Sequence, residues 1–400
     1  MQKPTIRYLV ASPFGDVSVD NDRLDLPLEV DTLETPYGTY FDSIKNFLAS
    51  EEFKPFLDAV NKKTGREVHV KDIDEIIIRA EKHGLLYHPA SIDIALKHEK
   101  VKFGLNVAVT DTGKDWLKEE FSVLQKLHKK FNLRYLPEVY FAGELNSMLF
   151  MLEEWFEGYH EFHLSKTENG DEKLKLWEFG KGYHYLSFEQ SFEVYKQASK
   201  ILTLYYDFKD FSQIYPWHHA AGDFIVKIED ESNPPLPPFT KGRDLESPTL
   251  KNGNLVGFSG GKIDVRLTTA RQYEPYMTFQ DKEDINPVIA LFYFFLNLTI
   301  KMRLDKLDGV GATVWAKDFC LEATKEGFIE GLRLKDELKD YLRSEDELIH
   351  LLKSFCSEDL KTAYSPLIDL YKQTGDYPVI TVNLDKHVEA LHTILQNFPS

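Results

Sequence analysis

Only two cysteines, Cys320 and Cys356, occur in the 400 residues, which excludes a disulfide framework or a four-thiolate zinc site and points to a reducing compartment. Positive charge is also short: 48 Lys and Arg stand against 65 Asp and Glu, a net charge of −17. A broad basic face for nucleic acid is thereby excluded, because phosphate neutralisation supplies most of that affinity. Long apolar runs are missing too. The most apolar window, residues 288–300, falls short of the roughly 20 residues that a membrane-crossing helix needs and reads as a buried helix. Residues 1–13 lack the apolar stretch of a secretory signal. The expectation is a cytoplasmic protein with neither a membrane nor a nucleic-acid partner.

What is present in quantity is apolar and aromatic material. Hydrophobic residues make up 42% of the chain, with 28 Phe and 20 Tyr, enough for a sizeable core. No repeat of fixed period is found. Residues 1–40, rich in Asp, Pro and Gly, are expected to drape over the rest. Residues 41–61 and 72–83 read as helices. In the second, Ile73, Ile76, Ile77 and Ala80 make a stripe, Asp72 caps with Glu75 three residues on, and Gly84 supplies a stop. Strands are expected at 90–96 and 101–110, where Phe103, Leu105, Val107 and Val109 alternate. A helix follows at 115–130, then strands at 138–141 and 148–153. Beyond residues 155–158 the pattern turns largely helical, with a long helix at 188–208. Residues 214–228 read as a loop between extended pieces. The five prolines between 233 and 249 forbid a helix or central strand there. A strand at 262–267 precedes helices from 285 onward, the last at 385–398.

Several constellations could carry chemistry. His218, His219 and Asp223 lie close in sequence, and His160 and His163 are three apart, a spacing that suits one helix face. The glycine cluster at 257–261 lacks the Lys-Ser/Thr of a P-loop and reads as a hairpin turn. The most informative stretch runs from Tyr215 to Val226 (YPWHHAAGDFIV).

That stretch, together with the strand–strand–helix–strand–strand order before it, resembles the protein-kinase-like fold in its aminoglycoside-phosphotransferase and choline-kinase branch, over roughly residues 87–328. The resemblance implies an α+β, two-lobed molecule. A small antiparallel sheet lobe with one helix would occupy 71–155 and a larger, mainly helical lobe 156–400, leaving 1–70 as an N-terminal extension. It also implies phosphoryl transfer from ATP, with Mg²⁺, to a small-molecule acceptor, driven mostly by positioning and charge neutralisation.

Carried over residue by residue, the resemblance is uneven. Glu120 matches the small-lobe helix glutamate, or is a solvated carboxylate. Thr110 stands where the nucleotide-binding lysine belongs, with Lys102 and Lys114 nearby but out of register. Trp155, at the hinge, would face the purine or pack the lobes together. Asp223 takes the place of the metal-binding asparagine, and Asp264 that of the second metal-binding carboxylate. His218 stands at the catalytic-aspartate position, where it would orient or deprotonate the acceptor. Arg266 and Arg271 would clamp phosphates or pair with carboxylates. The departures at 110 and 218 keep a second expectation open, a catalytically inactive kinase-fold module that binds a ligand or protein. A metal-dependent hydrolase built on His218, His219 and Asp223 is a third.

Overall fold

The computed structural model describes residues 4–12, 15–84, 86–178, 180–219, 222–229, 262–276 and 286–397. The first part of the chain contains β1 (Thr5–Ser12), β2 (Gly15–Ser18), α1 (Asn21–Leu24), α2 (Tyr37–Leu48), α3 (Lys54–Thr64), β3 (Ile73–Ala80), β4 (Ala90–Leu96), β5 (Lys100–Ala108), α4 (Asp111–Lys130), β6 (Val139–Leu145) and β7 (Met148–Glu154). Its strands form one sheet in the order β2-β1-β3-β4-β5-β7-β6. Alternation along these strands gives the sheet two apolar faces. Ile76, Ile78, Ile92, Phe103 and Phe150 pack on Tyr40, Phe41, Ile44 and Phe56 of α2 and α3. Leu149 and Met151 face Leu117, Leu124 and Leu127 of α4 on the other side.

Three expectations change here. Residues 73–80 form a strand, not a helix: β-branched Ile73, Ile76, Ile77 and Ile78 favour the pleat, and Ile76, Ile78 and Ala80 alternate inward. The first residues do not drape over the molecule; β1 pairs in parallel with β3 and antiparallel with β2. The helix expected at 41–61 is broken in two at Glu51, Glu52 and Phe53, whose φ angles of 48°, 57° and 69° leave the helical region.

The second part carries β8 (His160–Lys166), β9 (Glu172–Glu178), β10 (Gly182–Tyr185), α5 (Phe188–Tyr205), β11 (Ser212–Tyr215), β12 (Phe224–Glu229), β13 (Lys262–Leu267), β14 (Gln272–Pro275), α6 (Pro287–Lys301), β15 (Leu304–Lys306), β16 (Thr313–Trp315), α7 (Phe319–Arg333), α8 (Glu345–Ser354), α9 (Ser357–Tyr371) and α10 (Tyr377–Gln396). It is less helical at its start than expected. Phe162 and Leu164 alternate on β8, as do Leu174 and Leu176 on β9, so these segments join a sheet ordered β10-β9-β8-β12-β13. β11 pairs with β14, which brings the stretches before and after the β12–β13 pair together. The proline-rich excursion at 233–249 and the glycine turn at 257–261 lie outside the described residues.

Residues 288–300 fall in α6, where Phe295, Leu296 and Ile300 are buried. Among the described residues no helix is long and apolar enough to cross a membrane. One core runs from α4 and β7 through α5, β12, β13, α6, α7, α9 and α10, so the two parts of the chain share buried side chains.

Candidate functional site

The candidate residues gather where α4 meets the connections around β12 and β14. Asp223 stands immediately before β12, after Gly222, whose φ of +68° and tight approach to Glu161 suit a residue without Cβ. Its carboxylate is buried and fully engaged. Arg271, four residues after β13, donates Nη2–H to Oδ1 at 3.0 Å and Nη1–H to Oδ2 at 3.2 Å, and the His218 backbone N–H donates to Oδ2 at 2.7 Å. This is a guanidinium–carboxylate fork. Asp223 and its neighbouring carboxylate, Glu120, hold the guanidinium charged against the cost of its burial.

Glu120 is a buried carboxyl on α4, not a solvated one. It accepts the Thr269 hydroxyl; burial raises its pKa and the Arg271 charge partly offsets the rise. Behind it, Glu153 of β7 accepts Asn106 Nδ2–H at 3.0 Å, and burial together with the Glu120 charge pushes its pKa well up. Tyr87 closes the cluster. Gly113 leaves room for Leu86 to rest on the first turn of α4, where a Cβ would stand 2.5 Å from the Leu86 carbonyl. Burial and Glu120 raise the Tyr87 hydroxyl pKa. The Tyr87 hydroxyl and the Glu120 carboxyl act on each other as neighbours, and Glu153 Oε2 is buried without a hydrogen-bond partner among the described residues.

Asp264 is not part of this cluster. Phe224 pairs with Leu267, and the Thr268 N–H donates to the Asp223 carbonyl at 2.8 Å. Asp264 lies four residues before Thr268, roughly 13 Å of strand away. It is bound locally: Tyr159 Oη and Arg266 Nη2 donate to its Oδ2, each at 2.8 Å. The residues brought opposite Asp223 are Thr268 and Thr269, which offer no carboxylate. Pairing Asp223 with Asp264 as metal ligands is therefore corrected. The residues present do not fit a shared Mg²⁺, since Asp223 already holds three donors, a guanidinium among them, and Asp264 is distant and bound to Tyr159 and Arg266.

The remaining candidates are placed as follows. Thr110 lies beyond β5 as the N-cap of α4, where its side chain accepts the Gly113 N–H at 3.1 Å. Lys114 pairs with Asp111 at 2.8 Å, and Lys102 sits 4.5 Å from the centre of the Trp155 ring, so that indole face is covered by an ammonium. Arg266 pairs with Asp264 and lies 5.4 Å from the Tyr135 ring centre. His218 is half-buried, and burial and the Lys301 charge push its pKa down to about 4. His219 is fully buried among Phe162, Tyr195, Trp217 and Phe224. His160 and His163 lie on a strand and so point to opposite faces, not to one helix face. Among the described residues no three His, Cys, Asp or Glu side chains converge as metal ligands.

Sequence reasoning missed Tyr87, Asn106, Glu153 and Thr269. Glu153 had a signal: it follows five apolar residues of β7, whose middle is wholly buried. In comparisons with known proteins, the chain matches no family model and no curated protein is significantly similar to it.

Proposed function

We propose that this chain is a two-lobed, kinase-like protein in which the site between the lobes has become a structural ion cluster, and that it works as a ligand- or protein-binding module without transferring phosphoryl groups. The observation that carries this reading is the Arg271 fork on Asp223. A cation at Asp223 would have to displace a buried guanidinium and its two charge-assisted hydrogen bonds. The order β3-β4-β5-β7-β6, with α4 between β5 and β6, supports the kinase-like part of the reading. Thr110 and His218, at positions where lysine and aspartate carry phosphoryl transfer, support its non-catalytic part.

The competing reading is an active phosphotransferase that moves a phosphoryl group from ATP–Mg²⁺ to a small-molecule acceptor. Melting curves with ATP and Mg²⁺, followed by a search for ADP release, separate the two. A ligand at 100 times its Kd stabilises the folded state by about 2.7 kcal/mol. The expected result is no shift with ATP–Mg²⁺ and no ADP. A shift accompanied by transfer to any small hydroxyl- or amine-bearing acceptor overturns the proposal.

A further inference from the structure

Strand β13 is the last of its sheet, and among the described residues no further strand pairs with its free edge. Such an edge leaves backbone N–H and C=O groups that need partners. Here a side chain and a loop supply them. Gln197 of α5 donates to the Ile263 carbonyl at 2.9 Å and accepts the Val265 N–H at 3.1 Å. The Tyr135 carbonyl, between α4 and β6, accepts the Leu267 N–H at 2.9 Å. Residues of both bridges and Glu330 of α7 enclose a cavity of about 470 Å³. Small-molecule sites occupy about 300–1,000 Å³.

The charges of the lining are unequally used. Its three carboxylates, Glu193, Asp264 and Glu330, are all engaged. Asp264 accepts Tyr159 Oη and Arg266 Nη2, each at 2.8 Å. Glu330 takes Lys200 at 2.5 Å and Lys196 at 3.2 Å, and Glu193 accepts the Gln197 amide at 2.8 Å with Lys196 3.7 Å away. The cations of the lining are not all engaged. Arg134 and Lys262, both exposed, make no hydrogen bond or ion pair among the described residues. Arg266 gives an N–H to Asp264, and its guanidinium lies 5.4 Å from the centre of the Tyr135 ring and 5.7 Å from that of Tyr159. Those contacts hold a planar donor fork at the cavity wall before any ligand arrives. The surplus of positive charge runs against the net charge of −17 of the chain. Leu133, Ile201 and Ile263 supply an apolar part of the wall.

We propose that this cavity binds a small organic anion, whose carboxylate or phosphate group meets Arg266, Arg134 and Lys262 and whose apolar body lies against Leu133, Ile201 and Ile263. A cationic ligand would find every carboxylate of the lining already paired. The site uses neither Asp223 nor Arg271, so it stands or falls separately from the function proposed above.

Calorimetric titration of the full chain at two temperatures with phenyl phosphate, benzoate, benzylamine and inorganic phosphate tests it. The expected result is saturable binding of phenyl phosphate, benzoate or both, with a Kd of about 1 mM or tighter, and none of benzylamine. Phenyl phosphate alone identifies a phosphate-bearing ligand, and benzoate alone a carboxylate. The paired variant Arg134→Ser with Lys262→Ser alters two exposed side chains without partners, so it should keep the melting temperature of the parent and weaken binding by about tenfold or more. Absence of saturable heat from both aromatic anions up to about 10 mM overturns the proposal. So does benzylamine or inorganic phosphate binding as tightly as the aromatic anions, or unchanged affinity in the paired variant.

Discussion

Replacing Arg271 by methionine keeps the length of the side chain and removes the charge. The Asp223 side chain is only 2% exposed and that of Arg271 18% exposed, so water cannot take over from the guanidinium. The variant loses two hydrogen bonds to a charged group and leaves Asp223 buried with the His218 N–H as its remaining donor. Breaking a buried pair from one side costs about 3–5 kcal/mol. Glu120, whose burial Arg271 partly offsets, adds to the loss. Urea unfolding measures it: with an m-value of about 3 kcal/mol/M, the midpoint should fall by roughly 1–1.7 M. The matching double variant, Arg271→Met with Asp223→Asn, should recover at least half of that loss, because the unpaired charge is gone. A single-variant cost below about 1 kcal/mol, or strictly additive single and double variants, refutes the claim that the fork is a buried structural tie.

Acid should loosen the start of the chain. His83 Nδ1 and His88 Nδ1 lie 2.8 Å apart, both rings buried, with Tyr37 and Tyr40 packed on His83 and Asp31 3.9 Å from His88 Nε2. Burial and the neighbouring imidazole push His83 from 6.5 down to about 4, so the unfolded chain binds the extra proton first; the stability is complete above pH 6.5 and lost progressively toward pH 4, by about 3 kcal/mol, and the pH dependence of the melting temperature should flatten over that range in His83→Phe. Gly327 and Gly331 let α7 approach α5: a Cβ at 327 would overlap the Lys196 carbonyl, and one at 331 would stand 2.8 Å from Thr203 Cβ. Gly327→Ala should therefore cost about 3 kcal/mol in urea unfolding despite the better helix propensity of alanine, and a neutral or stabilising outcome would contradict the packing.

Period and punctuation made the core elements legible. The alternation at 90–96 and 101–110, the helical stripe of α4, the apolar α6 and the strand at 262–267 all stand close to where their residues imply. The failures came from two physical sources. At 73–80 the isoleucines satisfy a helical stripe as well as a strand, and only the neighbouring strands β1 and β4 decide between them. At 160–185 the alternation is short, two apolar residues per strand, and polar or charged residues such as Glu161, Lys173 and Lys175 surround it on β8 and β9. Of the cluster, Glu120, Asp223 and Arg271 were singled out by the sequence, but not their pairing, and Tyr87, Asn106, Glu153 and Thr269 were not. Arg271 and Asp223 are 48 positions apart in sequence, and which of several carboxylates an arginine meets depends on the β12–β13 register, to which no local pattern points.

That register bears on chemistry as well as on structure. The strand ends place Thr268 and Thr269, not a second carboxylate, beside Asp223, and the charge of Asp223 is met by a cation fixed in the chain. A mobile divalent ion and a tethered guanidinium both neutralise Asp223, but they differ in consequence. The ion leaves coordination positions free for phosphate oxygens, whereas the planar guanidinium spends its donors on the carboxylate and on the Pro216 carbonyl. Glu120 is served by the Thr269 hydroxyl and the nearby Arg271 charge, which ties α4 to the segment after β13. A carboxylate cluster assembled in this way links two parts of the fold. Any ligand drawn to it must offer more than the guanidinium already supplies within the same cluster.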